Sequence, residues 1–239
     1  MKTINYLLGY KNLKIVQDTE MFNFSLDSVL LPNFVTLNKK VKKILDIGCG
    51  NAPIPLILST KCSAKITGVE IQKDVYDMAI EAVKINNLQD RIKIVNDDIN
   101  EFYKKCETDT YDVITCNPPF FKYVETSNIN KNEYKTIARH ELKFNINQLF
   151  LIAKKILKND GSIAIVHRPE RLIEIVFEMK KNNIEPKRLQ FIYPKHDSKA
   201  NIMLIEGVKN GKPGLKILEP IYTHEENGDY TIQVKKFFE

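Results

Sequence analysis

Four short stretches of the chain place polar or conformationally special residues where an apolar run stops. In "DVITCNPPFF" (112–121) an amide, Asn117, and two prolines, Pro118 and Pro119, follow a strand-like run and lead into Phe120 and Phe121. Proline cannot continue a ladder, so the motif reads either as a stop signal with two core aromatics or as a loop used for chemistry. In "LDIGCGNAPIPLIL" (45–58) Asp46 ends a run, Gly48 and Gly50 permit close backbone approach, and Asn51 leads into a helix with prolines in its first turn. Such a loop commonly meets phosphate, yet Asn51-Ala52 breaks the GxGxxG pattern, so a dinucleotide fingerprint is poorly matched and a plain glycine turn stays open. Glu70 in "GVEIQ" follows the loop by ~20 residues, where a doubly wound fold puts an acid on a ribose diol. Its alternative is an exposed strand-end acid. In "VNDDIN" (95–100) Asp97 or Asp98 would lie beside an adenine ring and accept from its amine, or simply cap a helix.

These residues need elements to hold them. From residue 42 onward the runs "KKILDIG", "KITGVEI", "RIKIVND", "YDVITC" and "GSIAIVHR" are rich in β-formers and alternate with helical segments. In "QKDVYDMAIEAVKINN" one face carries Val75, Met78, Ala79, Ala82, Val83 and Asn86. "NINQLFLIAKKILKNDG" (145–161) predicts a helix with an Asn cap that ends near Gly161, and "PERLIEIVFEMKKNN" predicts another. Buried strands separated by helices predict an α/β fold with a mostly parallel, doubly wound sheet, whose ligands bind beyond the carboxyl ends of the strands. "EPKRLQFIYP" and "NIMLIEGVK" are joined by the short "KHDSKA", which predicts an antiparallel hairpin closing one edge. Residues 1–40 read as an N-terminal cap that is not independent of the domain spanning 41–239. In it, "NLKIVQD" and "MFNFS" suggest a hairpin, and "LDSVLLPNFV" a helix capped near Ser25 or Asp27.

Composition narrows the class. The 239 residues are 43% apolar, enough for one large domain with a well-buried core. Cys49, Cys62, Cys106 and Cys116 lack CxxC spacing and read as reduced thiols, with no metal site. The N-terminal stretch is too polar for a signal peptide and no run reaches the ~18 apolar residues of a membrane span, which predicts a cytoplasmic protein with no membrane partner. A net charge of +6, mostly lysine, permits a nucleic-acid partner without specifying one.

Taken together, Asp46, Gly48, Gly50, Glu70, Asp98 and the Asn-Pro-Pro-Phe motif resemble the class I S-adenosylmethionine-dependent methyltransferases of the amino-methylating branch, whose fold is Rossmann-like with seven strands. The resemblance implies that Asp46 and the turn Gly48-Cys49-Gly50-Asn51 hold the methionine portion, Glu70 the ribose and Asp98, in preference to Asp97, the adenine amine. Ala52 departs from the glycine often found after such an Asn. In this setting the Asn117 side-chain oxygen and the Pro118 carbonyl each accept one N–H of an aromatic amine, Pro119 stiffens the loop, and Phe120 offers a stacking face. Phe121 reads more as packing.

Longer stretches, "FNFSLDSVLLPNFV", "ARHELKFNINQLFLIAKKIL", "VHRPERL" and "ANIMLIEGVKNGKPGLKILEPIYTHEENGDYT", are similar to the bacterial tRNA adenine-N6 methyltransferases that modify the purine beside the anticodon of a valine tRNA. That similarity implies a tRNA partner gripped at its anticodon arm. Arg139 and His140, and His167, Arg168 and Arg171, are the candidate RNA contacts; a capping ion pair through Glu141 or Glu170 is the alternative. The segment 128–140 is a candidate substrate-gripping loop or an ordinary solvated one. A protein-glutamine methyltransferase and a non-catalytic RNA-binding protein on the same fold remain the competing functions, and the sequence carries no reading of oligomeric state.

Overall fold

The structure, a computed structural model, describes residues 2–18, 25–118 and 145–238. Seven strands build the body of one sheet: β3 (Lys43–Ile47), β4 (Lys65–Glu70), β5 (Ile92–Asn96), β6 (Tyr111–Cys116), β7 (Leu157–His167), β8 (Ile184–Tyr193) and β9 (Ile202–Lys209). The two-residue strands β10 (Lys216–Ile217) and β11 (Ile221–Tyr222) both pair with β8, which gives the order β10-β8-β9-β7-β6-β3-β4-β5 with β11 beside β8. Strands β3 to β7 run parallel and β9 is antiparallel to both its neighbours. The α/β, Rossmann-like class is as expected, and β8 and β9 do form the hairpin. The hairpin's later strand lies inside, however, and the outer edge of β8 is covered by β10 and β11, so the sheet counts nine strands among the described residues instead of seven. Two-residue strands leave no periodic signal in a sequence.

Pleating sorts the core into two layers. Ile44, Val113, Ala164 and Val166 face one layer with helices α1 (Asp27–Phe34), α2 (Pro53–Lys61) and α3 (Lys73–Ile85); Leu45, Ile47, Ile114, Ile163 and Ile165 face the other. That second layer is filled by α5 (Ile146–Ile156) and α6 (Leu172–Lys181), with α4 (Ile99–Lys105) at its border. Met78, Ala79, Ala82 and Val83 are buried on α3 as the periodicity requires. Asn145 caps α5 by accepting from the Gln148 N–H at 2.9 Å. The helix ends at Ile156, five residues before Gly161, because Leu157 already pairs with Tyr111 on β6.

At the N-terminus the structure adds a strand that the sequence reading did not assign. Lys14–Asp18 (β2) pairs antiparallel with Lys2–Tyr6 (β1), and of the stretch 21–25 expected beside it, 21–24 lie outside the described residues. Leu7, Leu13, Ile15 and Val16 join the same apolar cluster as α2 and α3. Asn86 at the end of α3 exchanges hydrogen bonds with the backbone of Lys14, at 2.9 and 2.6 Å, which fastens β2 to the domain. Leu26 is the N-cap of helix α1 and makes no side-chain cap hydrogen bond, so neither Ser25 nor Asp27 has the capping role. The Ser25 side chain hydrogen-bonds the Asp27 carboxyl, which also faces the Arg168 charge.

Candidate active site

Strand β3 is the switch point of the sheet: the chain proceeds to β4 and β5 on one side and to β6 and β7 on the other. Open sheets bind ligands at the carboxyl ends of strands beside such a point. Asp46 and Thr115 are register partners on β3 and β6, so they project to the same layer, and Thr115 Oγ1 donates to Asp46 Oδ1 at 2.6 Å. Asp46 is 0% exposed and its Oδ2 has no hydrogen-bond partner among the described residues. Burial, reinforced by the nearby Glu70 charge and opposed by the Thr115 hydrogen bond, pushes its carboxyl up to about 7.

Glu70, at the end of β4, accepts from the Gly50 N–H at 3.0 Å and the Gln72 N–H at 2.8 Å. It is buried, and an ionised carboxylate has acceptor sites beyond those two. Gly48 and Gly50 lie at φ 66° and 57°, and a Cβ on either would point into open space, so the turn has an unfilled mouth. Ala52, the departure from the usual glycine, is itself left-handed at φ 71° and fully buried. A residue with a Cβ pays about 1–2 kcal/mol there, which the packing of its methyl offsets in part.

Asn51 Nδ2 donates to Val16 O on β2 at 2.8 Å, which braces the loop against the N-terminal hairpin. Asp98 is the N-cap of α4, its Oδ1 accepting from the Asn100 N–H at 2.9 Å. Asp97 accepts from the Asp98 N–H at 3.0 Å and pairs with Lys105 at 2.7 Å. Both acids stand beside the end of β4, where the Asp97 N–H donates to Glu70 O.

Asn117 leaves β6 next to this loop, and its Nδ2 donates to Ser28 Oγ on α1 at 3.3 Å. Pro118 is buried; Pro119, Phe120 and Phe121, and likewise Arg139, His140, Glu141 and 128–140, lie outside the described residues. His167 is buried at the end of β7, its Nδ1 accepting from the Arg168 N–H at 2.8 Å. Burial and the Arg171 and Arg168 cations, with Glu174 opposing, push its imidazole down to about 4, so it is neutral near pH 7 and offers no surface to a polynucleotide in this conformation. Arg168 donates to Asn201 O at 2.7 Å, and Arg171 grips Glu174 at both oxygens, 2.9 and 2.5 Å, so the ion pair forms with Glu174 and not with Glu170. Thr115, Ser28 and Val16 escaped sequence reasoning; Thr115 and Ser28 carry the faint signal of a hydroxyl within an apolar run.

Two buried carboxylates, one with an orphaned oxygen, around an open glycine turn call for a partially cationic ligand with hydroxyls. A methyl donor bearing an ammonium, a sulfonium and a ribose fits that set.

Among the described residues no helix is long and apolar enough to cross a membrane, and no group of three His, Cys, Asp or Glu is placed to hold a metal. Residues 26–185 match the family described as "Methyltransferase small domain". A tRNA1(Val) (adenine(37)-N6)-methyltransferase of Flavobacterium psychrophilum is 25% identical over 226 residues, 92% of this chain and 95% of its own. The protein of the same description from Trichodesmium erythraeum is 32% identical over 165 residues, 68% of this chain and 67% of its own. Among solved structures, an Agrobacterium tumefaciens protein described as a predicted O-methyltransferase superposes with a TM-score of 0.70 at 17% identity, covering 89% of this chain and 95% of its own, which speaks for the fold. With its match spanning more than half the residues, the chain belongs to the methyltransferase small domain family.

Proposed function

We propose that this protein methylates the exocyclic N6 amine of the adenosine beside the anticodon of a valine tRNA, in the cytoplasm. The observation that carries the reading is the place of Asn117: it leaves the strand adjacent to β3, so an amide of the amino-methylating motif stands beside the Asp46–Glu70 loop. The names of the two relatives supply the substrate class.

The methyl donor is S-adenosylmethionine, which supplies an electrophilic methyl on sulfur. Asp46 and the glycine turn hold its methionine portion, Glu70 its ribose and Asp98 its adenine amine. Because the lone pair of adenine N6 is delocalised into the ring, Asn117 Oδ1 and the Pro118 carbonyl each accept one N–H and draw that density back to nitrogen. Bound there, the donor would supply its methyl to N6 and leave as the thioether, and the surplus N6 proton would pass to solvent. Alignment and fixed dipoles do this without a strong base. Phe120 stacks the extruded base, Pro119 stiffens the loop, and Arg139 and His140 are the RNA contacts that this reading retains for the anticodon arm.

The experiment is methyl transfer from labelled S-adenosylmethionine to unmodified total tRNA, followed by nucleoside analysis. N6-methyladenosine in a valine tRNA, lost with Asn117→Ala, supports the reading. Label in a protein glutamine, with none in tRNA, overturns the substrate and keeps the fold and donor.

A further inference from the structure

An amide has two different ends, and amine methylation can use only one of them. If Asn117 presents Oδ1, it accepts from the substrate amine; reversed, it presents two N–H groups to another N–H and repels it. The two orientations are nearly the same shape, so packing alone does not choose between them. A hydrogen-bond partner can hold the side chain in one of them; a hydroxyl can serve either end, and in this structure it accepts from the nitrogen.

That partner is Ser28, 89 residues earlier in the chain, whose Oγ takes the Asn117 Nδ2 hydrogen at 3.3 Å. Ser28 is only 5% exposed, and the next three residues of α1, Val29, Leu30 and Leu31, are buried in the layer that also holds Ile44 and Val113. The helix is fastened beyond its far end as well. Glu206 on β9, itself buried, accepts from the Thr36 N–H at 2.8 Å, from Thr36 Oγ1 at 2.6 Å and from Arg188 Nη1 at 2.9 Å. At the near end, the Asp27 carboxyl faces the Arg168 charge while Arg168 holds Asn201 O on the approach to β9. The hydroxyl is therefore presented by a helix tied to the sheet at both ends.

We infer that Ser28 is a positioning residue that holds the Asn117 side chain as it stands in this structure, its amide nitrogen on the Ser28 hydroxyl and its oxygen left for the amine to be methylated. The inference rests on the proposed role of Asn117 as the acceptor. It assigns the N-terminal cap a part in chemistry performed on β6, with no contact between Ser28 and substrate.

The test is a double-mutant cycle on the full chain with tRNA as substrate, read as the single-turnover methyl-transfer rate at saturating donor, with donor Kd and Tm measured on each protein. Ser28→Ala should slow transfer about tenfold, the loss of one orienting hydrogen bond, and leave donor Kd unchanged. In the Asn117→Ala background the same change should slow transfer no further. Ser28→Thr and Ser28→Val have nearly the same shape; the threonine should restore the rate and the valine should not, which separates the hydroxyl from packing. A Ser28→Ala rate equal to the parent, equal rates for threonine and valine, or an undiminished effect of Ser28→Ala on top of Asn117→Ala overturns the inference. Asn117→Ala at the parent rate would instead sink the acceptor role itself, a result read from that single variant and independent of Ser28.

Discussion

The Gly50 N–H points at Glu70 Oε2 across 3.0 Å, so the acid that ends β4 holds in shape the glycine turn that follows β3. In the proposed function, binding of the donor and rigidity of the turn therefore share one side chain. Glu70→Ala leaves the Gly50 and Gln72 amides without their acceptor and should lower stability by about 1–3 kcal/mol in urea denaturation. In calorimetry it should weaken donor binding by at least roughly tenfold, a loss of 1.4 kcal/mol. Unchanged affinity would move the ribose contact elsewhere.

Gly68 is the register partner of Asp46, and a Cβ built on it would lie 2.7 Å from Cys49 Sγ and 3.0 Å from Ile94 Cδ1. Cys49 belongs to the glycine turn, so crowding on β4 is transmitted to the donor loop. Gly68→Ala should cost about 1–3 kcal/mol of stability and raise the donor Kd, although residue 68 touches no ligand. Wild-type affinity in a destabilised variant would show that the loop absorbs the displacement.

Two buried groups should titrate against each other. Asp46 rises from 3.8 to about 7, so between those values the folded chain keeps a proton the unfolded chain has lost, and stability from this group fades as pH rises. His167 falls from 6.5 to about 4, so there the unfolded chain holds the extra proton, and stability from this group fades as pH falls. Over the shared window the slopes oppose. Asp46→Asn should expose the histidine's share: urea midpoints of the variant should drop more steeply than the parent's on acidification from about pH 6.5 to about pH 4.5. Parallel curves would refute the opposition.

Arg168 is held by Asn201 O and faces Asp27, both within the fold. Arg168→Ala should therefore lower Tm and leave the salt dependence of tRNA affinity unchanged. A slope of log K against log salt that becomes shallower by about one would mark a phosphate contact instead.

Much of this architecture is legible in the sequence because it is local. The runs that became β3 to β7 are dense in β-formers, α3 repeats its apolar face every three to four residues, and Asn145 caps the helix it precedes. The residues of the glycine turn and Glu70 converge as the fold class requires. What stayed hidden depends on long-range register. β1 is largely exposed along its length, which concealed its pairing with β2. The bond from the Asn51 amide to Val16 joins residues 35 apart, and nothing near Ser28 announces a partner 89 residues on. The end of α5 was masked because strand pairing with Tyr111 overrides the helical pattern that runs on past Ile156.

The interior position of β9 has a consequence for how the chain is made. Strands β3 to β6 are complete once residue 116 has left the ribosome and can pair as they emerge. β8, finished at residue 193, has its place beside a strand that begins only at residue 202. During that interval a ten-residue strand presents unpaired N–H and C=O groups to any other nascent chain. Slower translation between codons 193 and 209 would lengthen the time for which that edge stays open.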